Sequence, residues 1–119
     1  MRSKYHNRKV IVDGLKFDSI KEAKRWRELC LLYRAGEIGE VERQVEFVLI
    51  PAQRYRDDSG KIHTERAVKY VADYTYRDAR SGKMIIEDVK GYKGGQAYAV
   101  FKIKKKLMRF IHGLEVREV

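Results

Sequence analysis

The chain has one cysteine, Cys30, and one proline, Pro51, among its 119 residues. A lone cysteine excludes an internal disulfide and any cysteine-based zinc site, and Cys30 lies among apolar neighbours in a helical pattern that marks it as packing. A reducing, cytoplasmic setting fits that usage. With one proline, no internal repeat and no low-complexity stretch, the chain offers no linker. It reads as one domain over residues 1–119, with residues 1–17 as a basic N-terminal flap or hairpin. The three histidines, His6, His63 and His112, lack ligand spacing. No run nears the roughly 18 apolar residues of a membrane span, and no apolar stretch follows the basic N-terminus, so a secretory signal is not expected.

Acid is the other scarcity. Lys and Arg number 27 against 17 Asp and Glu, a formal charge of +10 and a pI near 9.8. A domain this basic usually meets a polyanion, and nucleic acid is the commonest. Val89 through His112 contains no acid at all, while Lys90, Lys93, Lys102, Lys104, Lys105, Lys106 and Arg109 fall within it. Residues 1–12 are also basic without an acid. A solvated charged surface would look the same, so charge alone assigns no function.

The pattern along the chain is α/β. Asp13-Gly14 marks a turn within residues 8–17. Ser19-Ile20-Lys21-Glu22 is a capping box opening a helix that Gly36 stops. Ile20, Ala23, Trp26, Leu29, Cys30 and Tyr33 fall in one broad apolar arc, and Glu22 projects inside it. Residues 41–50 predict a strand that becomes more buried along its length, and Asp57-Asp58-Ser59-Gly60 predicts a turn. Residues 66–77 and 83–90 predict a strand pair about a loop at 78–82. A second helix is expected from Ala97 to His112, stopped by Gly113, and a last strand over Leu114–Val119. On that helix Val100, Ile103, Leu107, Phe110 and Ile111 form the apolar face, with Phe101 and Met108 at its edge. Lys102, Lys105, Lys106 and Arg109 form an opposite stripe that can track phosphates. Lys104 projects within the apolar arc, so its stem can be buried while its ammonium reaches toward the sheet. Tyr92 and Lys93, in the glycine-rich exit Gly91-Tyr92-Lys93-Gly94-Gly95, can meet a DNA backbone.

The chemistry concentrates on the strand pair. A symmetric fold about residues 80–81 sets Asp73 opposite Asp88, with Cβ atoms roughly 5 Å apart. Alternation then puts Lys90 on the Asp88 face and Glu87 on the other. Apolar neighbours (Val71, Ala72, Ile85, Ile86) imply two carboxylates in a partly buried setting, which is unfavourable unless a cation joins them. A hard divalent ion, Mg²⁺ with Mn²⁺ as an alternative, suits carboxylate and water ligands. Lys90 can then position or activate an attacking water. A surface ion-pair cluster of the same residues is the bland alternative, since an Asp-x-Lys tripeptide by itself is weak.

Val71-Ala72-Asp73 followed by Ile86-Glu87-Asp88-Val89-Lys90 resembles the PD-(D/E)XK nuclease signature, with Ala72 in the proline position. The helix, three strands, helix, strand order is similar to that superfamily's core. Within it, Lys4-Tyr5-His6, Val12-Asp13-Gly14, Phe17-Asp18-Ser19 and Glu22-Ala23 resemble small phage-encoded endonucleases of the Holliday-junction-resolvase type. The resemblance implies a restriction-endonuclease-like αβββαβ core, a central mixed sheet flanked by helices. It implies a Mg²⁺-dependent endodeoxyribonuclease acting on branched DNA in recombination, a homodimer working in the host cytoplasm, and no organic cofactor. It also implies Glu22 as a further catalytic and metal-binding carboxylate beside Asp73, Asp88 and Lys90, and a basic residue from the second helix, for which Lys104 stands. The first helix, with its wide apolar arc, is the expected contributor to a dimer interface. A non-catalytic basic nucleic-acid-binding module and a structural protein of a phage particle remain alternatives.

Overall fold

Lys9 to Val119 are described by a computed structural model. Lys4-Tyr5-His6 and the rest of the basic flap before Lys9 lie outside the described residues. Strands β1 (Val10–Val12) and β2 (Leu15–Phe17) form a hairpin. Its turn uses Asp13 and Gly14, both left-handed (φ 52° and 77°), the two-residue geometry that suits strand twist. Helix α1 (Ile20–Arg34) begins where Ser19 Oγ accepts the Glu22 amide at 3.1 Å, and Gly36 leaves it in the left-handed region. Ala23 and Leu29 are buried and Trp26 and Cys30 half-buried. The apolar arc is narrower than expected: Ile20 and Tyr33 are exposed, because α1 covers only one side of the sheet, and Leu32 packs in their place.

Four strands make the central sheet: β3 (Ile38–Ile50), β6 (Val68–Asp78), β7 (Met84–Asp88) and β8 (Val116–Glu118), in the order β3-β6-β7-β8. The first two pairings are antiparallel and the last is parallel, so the sheet is mixed. Strand β3 does not become steadily more buried. It alternates throughout, and Val48 and Ile50 stay exposed. As an edge strand it has a covered and an open face, and an apolar run cannot by itself say which face is covered.

Between Ile50 and Val68 the sequence reading places only a turn. The chain instead forms a second hairpin, β4 (Gln53–Arg56) and β5 (Ile62–Glu65), about that turn. Its strands are short and exposed, so they carry no apolar alternation to reveal them.

Helix α2 (Gly95–Leu107) continues as a π-helical turn over Met108–His112 and ends at left-handed Gly113. Its buried side is not the expected one. Phe101 and Met108 are buried, with Tyr98 and Leu107 beside them, while Val100, Ile103, Phe110 and Ile111 are exposed. The helix carries two apolar stripes, and the sheet takes the one bearing Phe101 and Tyr98. The π turn then swings Phe110 and Ile111 away from a 3.6-residue projection. Among the described residues no helix is long and apolar enough to cross a membrane.

Each sheet face has its own core. Tyr70, Ala72, Ile86 and Val116 pack with Phe101 and Met108 of α2. Tyr74, Tyr76 and Ile85 pack with Ala23 and Leu29 of α1 and with Phe17. Tyr70 and Ala72 therefore face one way, and Tyr74 and Tyr76, the next even positions, the other. Alternation breaks between them at Asp73. The same place in β3 is Gln44, between the pairs Arg43↔Tyr74 and Val45↔Ala72, and its backbone is left-handed at φ 52°.

Candidate active site

The β6–β7 register runs Arg77↔Met84, Tyr76↔Ile85, Thr75↔Ile86 and Tyr74↔Glu87. These pairs carry the register counted from the sequence as far as Tyr74↔Glu87; beyond them the Asp88 charge acts on Asp73. Glu87 points to the α1 side, buried to 1%, and is gripped by Arg25 Nε at 2.7 Å, by Arg25 Nη2 at 2.6 Å and by the Tyr76 hydroxyl. It is a structural acid that fixes α1 to β7. The paired carboxylate holds the Arg25 guanidinium strongly in its charged form, and burial lifts the Tyr76 phenol to about 12.

Asp88 faces α2. Its Oδ2 accepts the Tyr70 hydroxyl at 2.6 Å, and its Oδ1 lies 2.7 Å from Lys90 Nζ. The Lys90 ammonium also sits over the Phe101 ring, 3.3 Å from the centroid, a cation–π seat supplied by α2. Lys21 of α1 donates to the Lys90 carbonyl, and the Lys90 amide donates to Val119 O at 2.9 Å beyond the end of β8. The lysine is thus held from three elements. Burial drives the Tyr70 phenol far above its ordinary value, and the neighbouring Asp88 charge adds to it.

Asp73 sits at the break between the two cores and accepts the Val89 amide through Oδ2 at 2.7 Å. Burial, then the charge of Asp88, raises its carboxyl to about 7, against the Val89 bond; Glu22 adds a smaller push. Glu22, 4% exposed, reaches the same region from the first turn of α1, and Gln44 Nε2 donates to its Oε1 at 3.3 Å. The Tyr74 hydroxyl holds the Glu22 carbonyl at 2.7 Å. Glu22 is also raised, first by burial and then by Asp18, with Asp88 contributing and Arg43 opposing. The capping serine and the inward carboxylate coexist: the backbone of Glu22 is capped while its side chain turns toward the sheet.

Carboxylates from α1, β6 and β7 therefore gather beside one lysine, and burial and neighbouring acids raise those of Glu22 and Asp73. That donor set fits a hard divalent cation in kind. Among the described residues, no three acidic or histidine side chains close around a single point. Asp73, Asp88 and Glu22 are the acids that could hold such an ion.

The lysine stripe is divided. Lys105 Nζ is 2.9 Å from Glu118 and Arg109 is bidentate on Glu115, so both tie α2 to the C-terminal strand region. Lys102 lies 6.0 Å above the Tyr98 ring, and Lys106 is exposed. Lys104 is half-buried, but the α2 group that meets the catalytic strand is Phe101. Lys93 is 3.9 Å from Glu118, and exposed Tyr92 lies against Gly94, where any Cβ would meet the phenol at 2.8 Å. Tyr92, Lys93 and Lys106 stay on the surface; Lys105 and Arg109 are engaged.

Sequence reasoning misses Gln44, Tyr70 and Phe101. Strict alternation puts Tyr70 on the face opposite Asp73, and only the break reconciles them. A left-handed glutamine inside a strand has no local sequence signal.

Residues 2–117 match the profile of a family described as "Protein of unknown function (DUF1064)". The chain belongs to the DUF1064 family. No curated protein and no solved structure matches this DUF1064 chain.

Proposed function

We propose that the chain is a metal-dependent endonuclease of the PD-(D/E)XK type, with a restriction-endonuclease-like core, that hydrolyses phosphodiester bonds in branched DNA. The observation that supports the reading is the nearness of Asp73 and Asp88 at the break between the two cores, the charge of Asp88 acting on Asp73, with Lys90 2.7 Å from Asp88. Surface ion-pair clusters relax by spreading into solvent. These acids are half-buried or buried, and two of them are pushed toward protonation by burial and by one another.

Asp73 and Asp88 would hold Mg²⁺ or Mn²⁺, assisted by Glu22. When bound, the ion would supply positive charge to the scissile phosphate. Lys90 would position the attacking water, its ammonium kept in place by Asp88 and Phe101. Gln44 and the Ser19 cap hold Glu22 at the mouth of this arrangement. Tyr92, Lys93, Lys102 and Lys106 would contact the DNA backbone, with Lys104 in support. Symmetric incision of a junction calls for a two-fold homodimer. Exposed Val100 and Ile103 of α2, with Phe110 (87% exposed) in the π turn after it, offer apolar surface for it, as do Ile20, Leu31 and Tyr33 of α1.

The deciding experiment compares cleavage of four-way junction, flap, duplex and single-stranded DNA with Mg²⁺ or Mn²⁺, for the wild type and Lys90→Ala. Metal-dependent cutting by the wild type and a loss of about 10²–10⁴-fold in the variant, with DNA binding retained, is the expected result. No cutting of any substrate, or undiminished cutting by Lys90→Ala, would overturn the assignment.

A further inference from the structure

The hairpin β4–β5 is not needed to complete either core. Its strands pair with each other, and neither makes a substantial contact with another described element. An isolated two-stranded hairpin is marginal in water, so one that is kept and ordered has a local reason for its order. That reason is visible at the tip. Asp57 Oδ1 accepts the Ser59 amide at 2.9 Å, the Ser59 hydroxyl at 2.6 Å and the Lys61 amide at 3.0 Å, while Oδ2 meets His63 Nε2 at 2.6 Å. Gly60 supplies the left-handed turn residue at φ 88°.

The two faces of this arm differ in charge. Pairing of Gln53↔Glu65 and Tyr55↔His63 puts those four residues on one face. There the acids are satisfied internally: Tyr55 stacks on His63 with centroids 5.2 Å apart and donates to Glu65 at 3.2 Å. Pairing of Arg54↔Thr64 and Arg56↔Ile62 makes the other face, and exposed Arg66 directly follows the end of β5. Within the paired strands that face has two arginines, the Thr64 hydroxyl, Ile62 and no acid, with Arg66 just beyond its end. Among the described residues no salt bridge engages Arg54, Arg56 or Arg66, and all three are exposed. Arg56 donates one guanidinium nitrogen to the Gly60 carbonyl at 2.8 Å, which braces the turn while the residue stays exposed.

We propose that the β4–β5 arm is a duplex-DNA-binding element that lays its Arg54–Arg56–Arg66 face along the groove of a double-stranded arm of the substrate. A two-stranded ribbon fits the major groove, about 12 Å wide, and arginine forks match phosphates and guanine edges. An acidic protein partner would be drawn by charge alone and would need no ribbon-shaped reader. The choice of DNA as the polyanion rests on the nuclease reading; the arm's role in binding does not require that the protein cut.

The test measures binding of the full chain to a fluorescent 20-base-pair duplex in EDTA, across a salt series. Arg54→Ala/Arg56→Ala/Arg66→Ala is compared with Tyr55→Ala on the opposite face, and circular dichroism checks that each is folded. The triple variant should bind roughly 10- to 100-fold more weakly at 0.1 M salt, with a log–log salt slope smaller by about 2–3. Tyr55→Ala should stay within about threefold of the wild type in this sequence-independent binding. Unchanged affinity and slope in the triple variant would overturn the proposal, as would equal losses in both variants, or tighter binding of an RNA duplex of the same sequence. The cleavage assay above separates the two readings. A wild type that never cuts but whose triple variant loses duplex binding leaves the arm standing without the nuclease. A cutting enzyme with an indifferent triple variant leaves the nuclease without the arm.

Discussion

The Val89 amide donates to Asp73 Oδ2 at 2.7 Å, tying the segment between Asp88 and Lys90 to the break in β6. One backbone group thereby sets the spacing of both candidate metal-binding aspartates and of the lysine beyond them.

Asp73 carries a pH signature. Its folded-state value of about 7 lies above the ordinary carboxyl range, so the folded protein holds a proton that the unfolded chain has released. The resulting stability is fully present below about pH 4 and is lost as pH rises through 7. In EDTA, calorimetry should find the wild type less stable at pH 8 than at pH 5 by about 1 kcal/mol from this group, roughly half the full linkage value over that range because the residue is only partly buried. Asp73→Asn should flatten that dependence, melt higher than the wild type at pH 8, and show no stabilisation by Mg²⁺ where the wild type does. A variant that melts lower at pH 8 would contradict the electrostatic account.

Arg25 and Glu87 test the scaffold independently of chemistry. Arg25→Ala leaves a carboxylate at 1% exposure with only the Tyr76 hydroxyl for company. Breaking such a buried pair typically costs about 3–5 kcal/mol. Urea unfolding of Arg25→Ala should show a loss of that order, and of under about 1 kcal/mol for Glu28→Ala, whose contact with the same arginine is exposed. Equal small losses would mean that α1 is not anchored through Glu87.

Gln44 separates strain from function. A left-handed non-glycine residue costs about 1 kcal/mol or more relative to glycine. Gln44→Gly should therefore be at least as stable as the wild type in thermal melts, while needing more Mg²⁺ for half-maximal cleavage, because Glu22 loses its donor. Gln44→Ala should show the same metal requirement together with reduced stability. Cleavage by Gln44→Gly at wild-type metal concentrations would remove Gln44 from the site.

Local physics makes much of this architecture legible from sequence. Ser19 and Gly36 bound α1 because orphan helix amides and carbonyls need local partners. Asp13-Gly14 turns β1 into β2 because both positions require left-handed backbone. The β6–β7 register, from Arg77↔Met84 to Tyr74↔Glu87, follows from the position of one loop, since an antiparallel register is set once its turn is placed. The inward projection of Glu22 follows from helical periodicity alone.

Other features have no local cause. Both apolar stripes of α2 satisfy a helical wheel, and only the sheet, by taking Phe101 against Tyr70 and Lys90, selects one. The arm at β4–β5 buries nothing, so hydrophobic patterning is silent about it. Gln44 and Asp73 mark where β3 and β6 change the face they show to each core, a demand set by two helices on opposite sides. The sequence by itself determined the helix ends, the hairpin register and the identity of the acids, because those depend on neighbours a few residues away. Tertiary structure alone decided which side of α2 is covered, that Gln44 meets Glu22, and that Tyr70 meets Asp88, because those contacts form only when distant segments compete for the same buried space.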